Sequence, residues 1–115
     1  GGGELVVQLW NAAADNRLAD TPVKVKVDGV EKEIPAGGQV TLQAGDSICL
    51  TQRLFHKFYG RTGFGRVLVG EVSQVNDDET DNYFLEPVGR FPAIDEDEPP
   101  LFLLCTDYPR YYQAQ

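Results

Sequence analysis

Residues 23–34 read VKVKVDGVEKEI. Valine alternates with lysine over 23–27, and VEKEI (30–34) reads as the returning strand after Asp28-Gly29. A period of two puts every second side chain on one face, which is the signature of a half-buried strand and excludes an amphipathic helix. An Asp-Gly pair between two such runs signals a two-residue type I′ hairpin turn, because both central residues must take positive φ. A β-hairpin is therefore expected here.

The same texture runs through the first two thirds of the chain. ELVVQLW (4–10) reads as an earlier, more deeply buried strand. Gly37-Gly38 turns the chain into QVTL (39–42), and Ala44-Gly45-Asp46 turns it again into SICLT (47–51). LFHKF (54–58), a Gly-rich loop (60–65) and RVLVGEVS (66–73) follow. NAAADNRL (11–18) reads as a loop containing one turn. Short strands separated by closely spaced turn signals predict an antiparallel sandwich or barrel. After residue 74 the sequence becomes polar, proline-punctuated and weakly periodic, so it is expected to wrap a surface. LFLLC (101–105) reads as a last strand, and TDYPRYYQAQ as an aromatic tail that must pack on something.

With 115 residues the chain is expected to form one domain with a single modest core, barrel strands over 1–73 and the irregular segment over 74–115. Its apolar runs are five residues or fewer, too short for a membrane-spanning helix. The opening GGGELVV lacks the basic and apolar regions of a signal peptide, so a cytoplasmic location is expected. The formal net charge is −8, and acidic clusters lie at Asp77-Asp78-Glu79 and Asp95-Glu96-Asp97-Glu98. That balance repels phosphate backbones and argues against nucleic acid as a partner; the clusters themselves read as solvated loops. Cys49 and Cys105 sit in apolar strand-like segments, where a thiol is expected to be buried and inert. Their separation makes no zinc motif, and a single disulfide is left open. The chain contains no methionine, as a chain with its initiator removed or a truncated product would.

His56 is the single histidine, set between two aromatics in GDSICLTQRLFHKFYG (45–60). Gly45 precedes it by eleven residues, the spacing of glycine and histidine in the second cupin motif, G-x5-P-x-G-x2-H-x3-N. The motif's proline position holds Thr51, its second glycine position Arg53 and its final asparagine position Gly60. Two readings follow from these residues: a metal-ligating histidine, or a histidine on a barrel strand with no ligand role.

The downstream blocks GEVS, NDDETDN and GRFPAIDEDE, together with the hairpin VKVKVDGVEKEIPAG, resemble the D-lyxose isomerase family of cupin-type sugar isomerases. The resemblance runs from Gly1 to about Tyr112. It implies an all-β fold, a cupin-like antiparallel β-barrel or sandwich (a partial jelly roll) with an irregular C-terminal wrap. It also implies an aldose–ketose isomerase acting on a small sugar, with a divalent metal, typically Mn²⁺, held by three histidines and a glutamate. By this resemblance His56 matches the last ligand. Glu86 is the candidate acid/base, Arg90 the group that would hold a sugar hydroxyl or the enediolate, and Glu71 stands behind them. Glu86 and Arg90 also read as a structural ion pair. The opening glycines resemble the trailing glycine of the first cupin motif, so its H-x-H pair and Glu are expected just before Gly1 and the chain to be a C-terminal portion. Glu71, Asp77, Asp78 and Asp81 are the carboxylates that would rebuild a metal site beside His56, although nothing in their spacing requires it. GRTGFG (60–65) precedes no helix and reads as a hairpin loop, not a phosphate cradle. Without the upstream ligands the chain is expected to be inactive alone; the alternative is a metal-free sugar-binding or oligomerisation module. Unpaired sheet edges would make it a homodimer or larger assembly.

Overall fold

The computed structural model describes residues 1–75, 83–86, 97–103 and Tyr108. The chain divides into two compact units, Gly1–Tyr83 and Phe84–Gln115, and the six strands found among the described residues all belong to the first.

These strands are β1 (Leu5–Asn11), β2 (Val23–Val27), β3 (Val30–Ile34), β4 (Gln39–Leu42), β5 (Ile48–Cys49) and β6 (Leu54–Gly60). They form two three-stranded antiparallel sheets, ordered β4-β1-β6 and β3-β2-β5. The fold is a cupin-like all-β sandwich. β2 and β3 are the hairpin expected from the alternation: Val27 pairs with Val30 across Asp28 and Gly29, whose φ values are 48° and 78°. Positive φ at both positions is what a type I′ turn demands. Asp28 also ties the hairpin to β5. Its Oδ1 accepts from the Ser47 amide at 2.7 Å and from the Ser47 hydroxyl at 2.9 Å.

The valines of β2 point into the sandwich, where Val23, Val25 and Val27 are buried and the lysines between them are exposed. Facing them are Val7 and Leu9 of β1 with Val40 and Leu42 of β4. Leu5, Ile34, Ile48 and Leu54 close the margins of this core. Burying one such side chain stabilises the fold by about 2 kcal/mol, so a core this small depends on each member. β3 is an edge strand whose Glu31, Lys32 and Glu33 are exposed; an edge dressed in charge discourages unwanted strand pairing.

Three expectations need correction. RVLVGEVS (66–73) is not a strand: only Val67 bridges Gly2, flanked by hydrogen bonds from Gly3 N to Arg66 O and from Leu68 N to Gly1 O, both 2.8 Å. Among the described residues no strand lies opposite 69–73, so the alternating side chains have no ladder to join, and Leu68 and Val72 are exposed. Cys49 is exposed rather than buried. β5 is only two residues long, and alternation sends Ile48 toward the core and Cys49 outward. Residues 101–103 are not in a strand either, while Cys105 lies outside the described residues.

Candidate functional site

The segment from Gly45 to Gly60 is built from two turns and two strands. Gly45 takes a φ of 97°, and the turn around it is closed by Asp46 Oδ2, which accepts from the Gln43 amide at 2.9 Å. After β5 a second turn delivers the chain to β6, and Arg53 in it has a φ of 59°. That is the left-handed conformation in which glycine is favoured, at the position the cupin motif gives to its second glycine. TQR therefore keeps a glycine-like turn without the glycine. The strain is offset by contacts of Arg53 itself. Its guanidinium donates to Ala13 O at 2.7 Å and lies 3.3 Å from Asn16 Oδ1, and its carbonyl accepts from Ala12 N at 2.8 Å. The 12–18 loop, closed by a bridge between Ala12 and Leu18, is clamped to the start of β6 in this way.

β6 pairs along its whole length with β1, Leu54 opposite Asn11 and Gly60 opposite Leu5. Directly opposed residues of an antiparallel pair share a face. Leu54, His56, Phe58 and Gly60 thus lie on the face of Leu9 and Val7, the side of the core, whereas Phe55, Lys57 and Tyr59 lie on the other. Leu54 is partly buried against the core, but His56 and Phe58 are exposed. The two rings are nearly parallel, 9° apart with centroids at 6.2 Å. His56 Nδ1 lies 3.5 Å from Leu54 O, longer than a good hydrogen bond, and Nε2 has no hydrogen-bond partner among the described residues.

An accessible imidazole on the inner face fits the role of one metal ligand. Among the described residues, however, no three His, Cys, Asp or Glu side chains converge. Glu71 is exposed in the stretch after Val67 and makes no hydrogen bond or ion pair there among the described residues. Glu86 is exposed in the second unit, and Arg90, Asp77, Asp78 and Asp81 lie outside the described residues. Phe58 and Arg53 were not singled out as site residues from sequence. The signal for Phe58 was present: LFHKF at period two places Leu54, His56 and Phe58 on one face. Arg53 was marked only by falling at the motif's second glycine position.

The loop after β6 is a hairpin-like turn, not an anion cradle. Arg61 reaches Glu4 at 2.7 Å, donates its amide to the Glu4 carbonyl at 2.8 Å, and lies 4.5 Å over the Phe64 ring. Gly3 allows this closeness, since a Cβ there would run into the Phe64 carbonyl oxygen. A cavity of about 450 Å³ opens at this end of the sandwich, lined by Leu5, Leu42, Asp46, Ile48 and Leu68 among others, and His56 is not part of its wall.

The family model for D-lyxose isomerase matches residues 1–108. The chain belongs to the D-lyxose isomerase family. It is similar to a D-lyxose/D-mannose isomerase of Escherichia coli O157:H7, with 50% identity over 111 residues, 96% of this chain and 49% of the relative. A D-lyxose/D-mannose isomerase of Serratia proteamaculans is 52% identical over 111 residues, again 96% of this chain and 49% of the relative. The chain thus spans about half the length of the curated relatives it matches.

Proposed function

We propose that this chain supplies the second-motif half of a ketol-isomerase site acting on D-lyxose or a related aldose such as D-mannose. The observation that carries the reading is His56. It stands on the inner face of β6, exposed, in motif spacing from Gly45 and behind a turn that keeps the motif's glycine-like φ at Arg53. Membership of the family makes a sugar the natural substrate class.

Aldose–ketose isomerisation removes the proton from C2 of the open-chain aldose and returns one to C1 through an enediol, with a matching proton transfer between the two oxygens. Glu86 is assigned the carbon-bound proton, because a carboxylate can both accept and return it. Arg90 is assigned to a sugar hydroxyl or the enediolate oxygen, with Glu71 in reserve. His56 would hold a divalent cation, Mn²⁺ in keeping with an imidazole–carboxylate donor set. When bound, such a cation polarises the sugar oxygens and spreads the negative charge of the enediolate. The implied set of three histidines and one glutamate asks for more imidazoles than the one in these 115 residues. The isomerase reading therefore draws the remaining ligands from outside them. A cytoplasmic, homodimeric or larger assembly of single cupin-like domains completes this reading.

The single histidine favours a second reading for the chain acting alone: a metal-free sugar-binding or assembly module with no turnover. Calorimetric titration with Mn²⁺ separates the two. Under the first, the ion binds where the full ligand set is present, His56→Ala abolishes that binding, and D-lyxose is converted there to its ketose. Absence of Mn²⁺ binding, with sugar binding insensitive to chelator, would establish the second.

A further inference from the structure

We propose that Phe58 is the apolar platform on which the C–H face of the sugar rests beside His56. This inference rests on the isomerase reading and adds a substrate contact to it.

The register of β6 sets the two side chains on one face, two residues apart, with Val7 opposite Phe58 and Leu9 opposite His56. Val7 and Leu9 are 2% and 0% exposed, so the floor beside the two rings is closed and apolar. Leu54, the first member of the same row, packs on the core, but Phe58 remains 54% exposed. Leaving half a phenyl ring in water forfeits hydrophobic stabilisation, and core packing does not account for it. The near-parallel imidazole and phenyl rings present a nitrogen donor and an apolar surface side by side. A sugar has the matching pair of surfaces, oxygens along its edge and C–H groups on its face. Sites for small polar ligands combine aromatic lining with a few placed polar groups in this manner.

The other exposed aromatics near β6 do not qualify. Tyr59 lies on the opposite face, across from Val6, and Phe64 is covered by the Arg61 guanidinium. Phe58 is the exposed aromatic on the face of His56 among the described residues of β6.

The test is an NMR titration of the 115-residue chain, with labelled phenylalanine, against D-mannose and D-lyxose, with and without Mg²⁺ as a diamagnetic cation. The expected result is movement of the Phe58 ring signals on sugar addition and upfield shifts of sugar C–H protons. Phe58→Ala should weaken the sugar roughly tenfold, as loss of a half-covered phenyl surface implies. Phe58→Trp should restore binding, and Phe58→Leu, which preserves bulk, guards against a folding defect in the alanine variant. Sugar binding that is unchanged in Phe58→Ala, or that leaves the Phe58 ring unmoved, overturns the platform and leaves the isomerase reading standing. Failure of either sugar to bind the unmodified chain, with or without Mg²⁺, overturns the platform as a contact this chain makes and leaves the isomerase reading to the Mn²⁺ titration.

Discussion

Arg53 illustrates how much one residue decides at the entrance to β6. An L-residue with a φ of 59° is strained, and Arg53 offsets that strain by bonding the 12–18 loop through its guanidinium. Removing the side chain and keeping a Cβ should cost more than removing both. In thermal melts Arg53→Ala should therefore fall below Arg53→Gly by about 1 kcal/mol, the usual penalty for a Cβ in the left-handed region. Equal melting of the two variants would mean that the turn relaxes once the guanidinium is gone. Asp28-Gly29, by contrast, was legible as a turn from its residue types, because Asp and Gly are the ordinary occupants of such positions. TQR carries no such mark, since its conformation is enforced by partners 37 to 40 residues away.

At the scale of the element, the alternation of residues 23–27 and the Asp28-Gly29 turn specified the hairpin and its register, and β1, β4 and β6 also arose where period and turn signals placed them. Alternation did not suffice for 66–73, because a strand exists only where another offers its backbone. Leu9→Ala should lose about 2–5 kcal/mol in denaturant unfolding, since Leu9 is fully buried and the surrounding valines cannot collapse into its volume. On the outer face of the hairpin, Lys24 and Glu31 approach to 3.9 Å with both side chains more than half exposed. Lys24→Ala should change stability by less than about 0.5 kcal/mol, because solvent and salt screen such a pair. A larger loss would show that the pair is coupled to the β2–β3 register.

For the whole molecule, the balance is between apolar exposure and charge. Leu68 is 79% exposed, and Val72 and Val75 are fully exposed, while β6 pairs on one side only among the described residues. Such surfaces favour association with another chain, whereas a net charge of −8 opposes it. Sedimentation velocity should show species heavier than the 12.7 kDa monomer at high protein concentration, increasing as added salt screens the repulsion. A compact monomer at every concentration and ionic strength would exclude assembly through these surfaces.

Period-two patterning and turn chemistry are local properties, so the sequence alone determined that the chain is all-β, where most strands lie and which valines face the core. The spacing from Gly45 to His56 likewise singled out the imidazole before any coordinates. Which strands are neighbours, and hence which side chains of other strands share a face with His56, was settled only in three dimensions, because pairing joins residues distant in sequence. Tertiary structure alone set the His56–Phe58 face over buried Val7 and Leu9, held Arg53 in a left-handed turn, and left 66–73 without a ladder. Each of those outcomes depends on a partner that no local window of sequence contains.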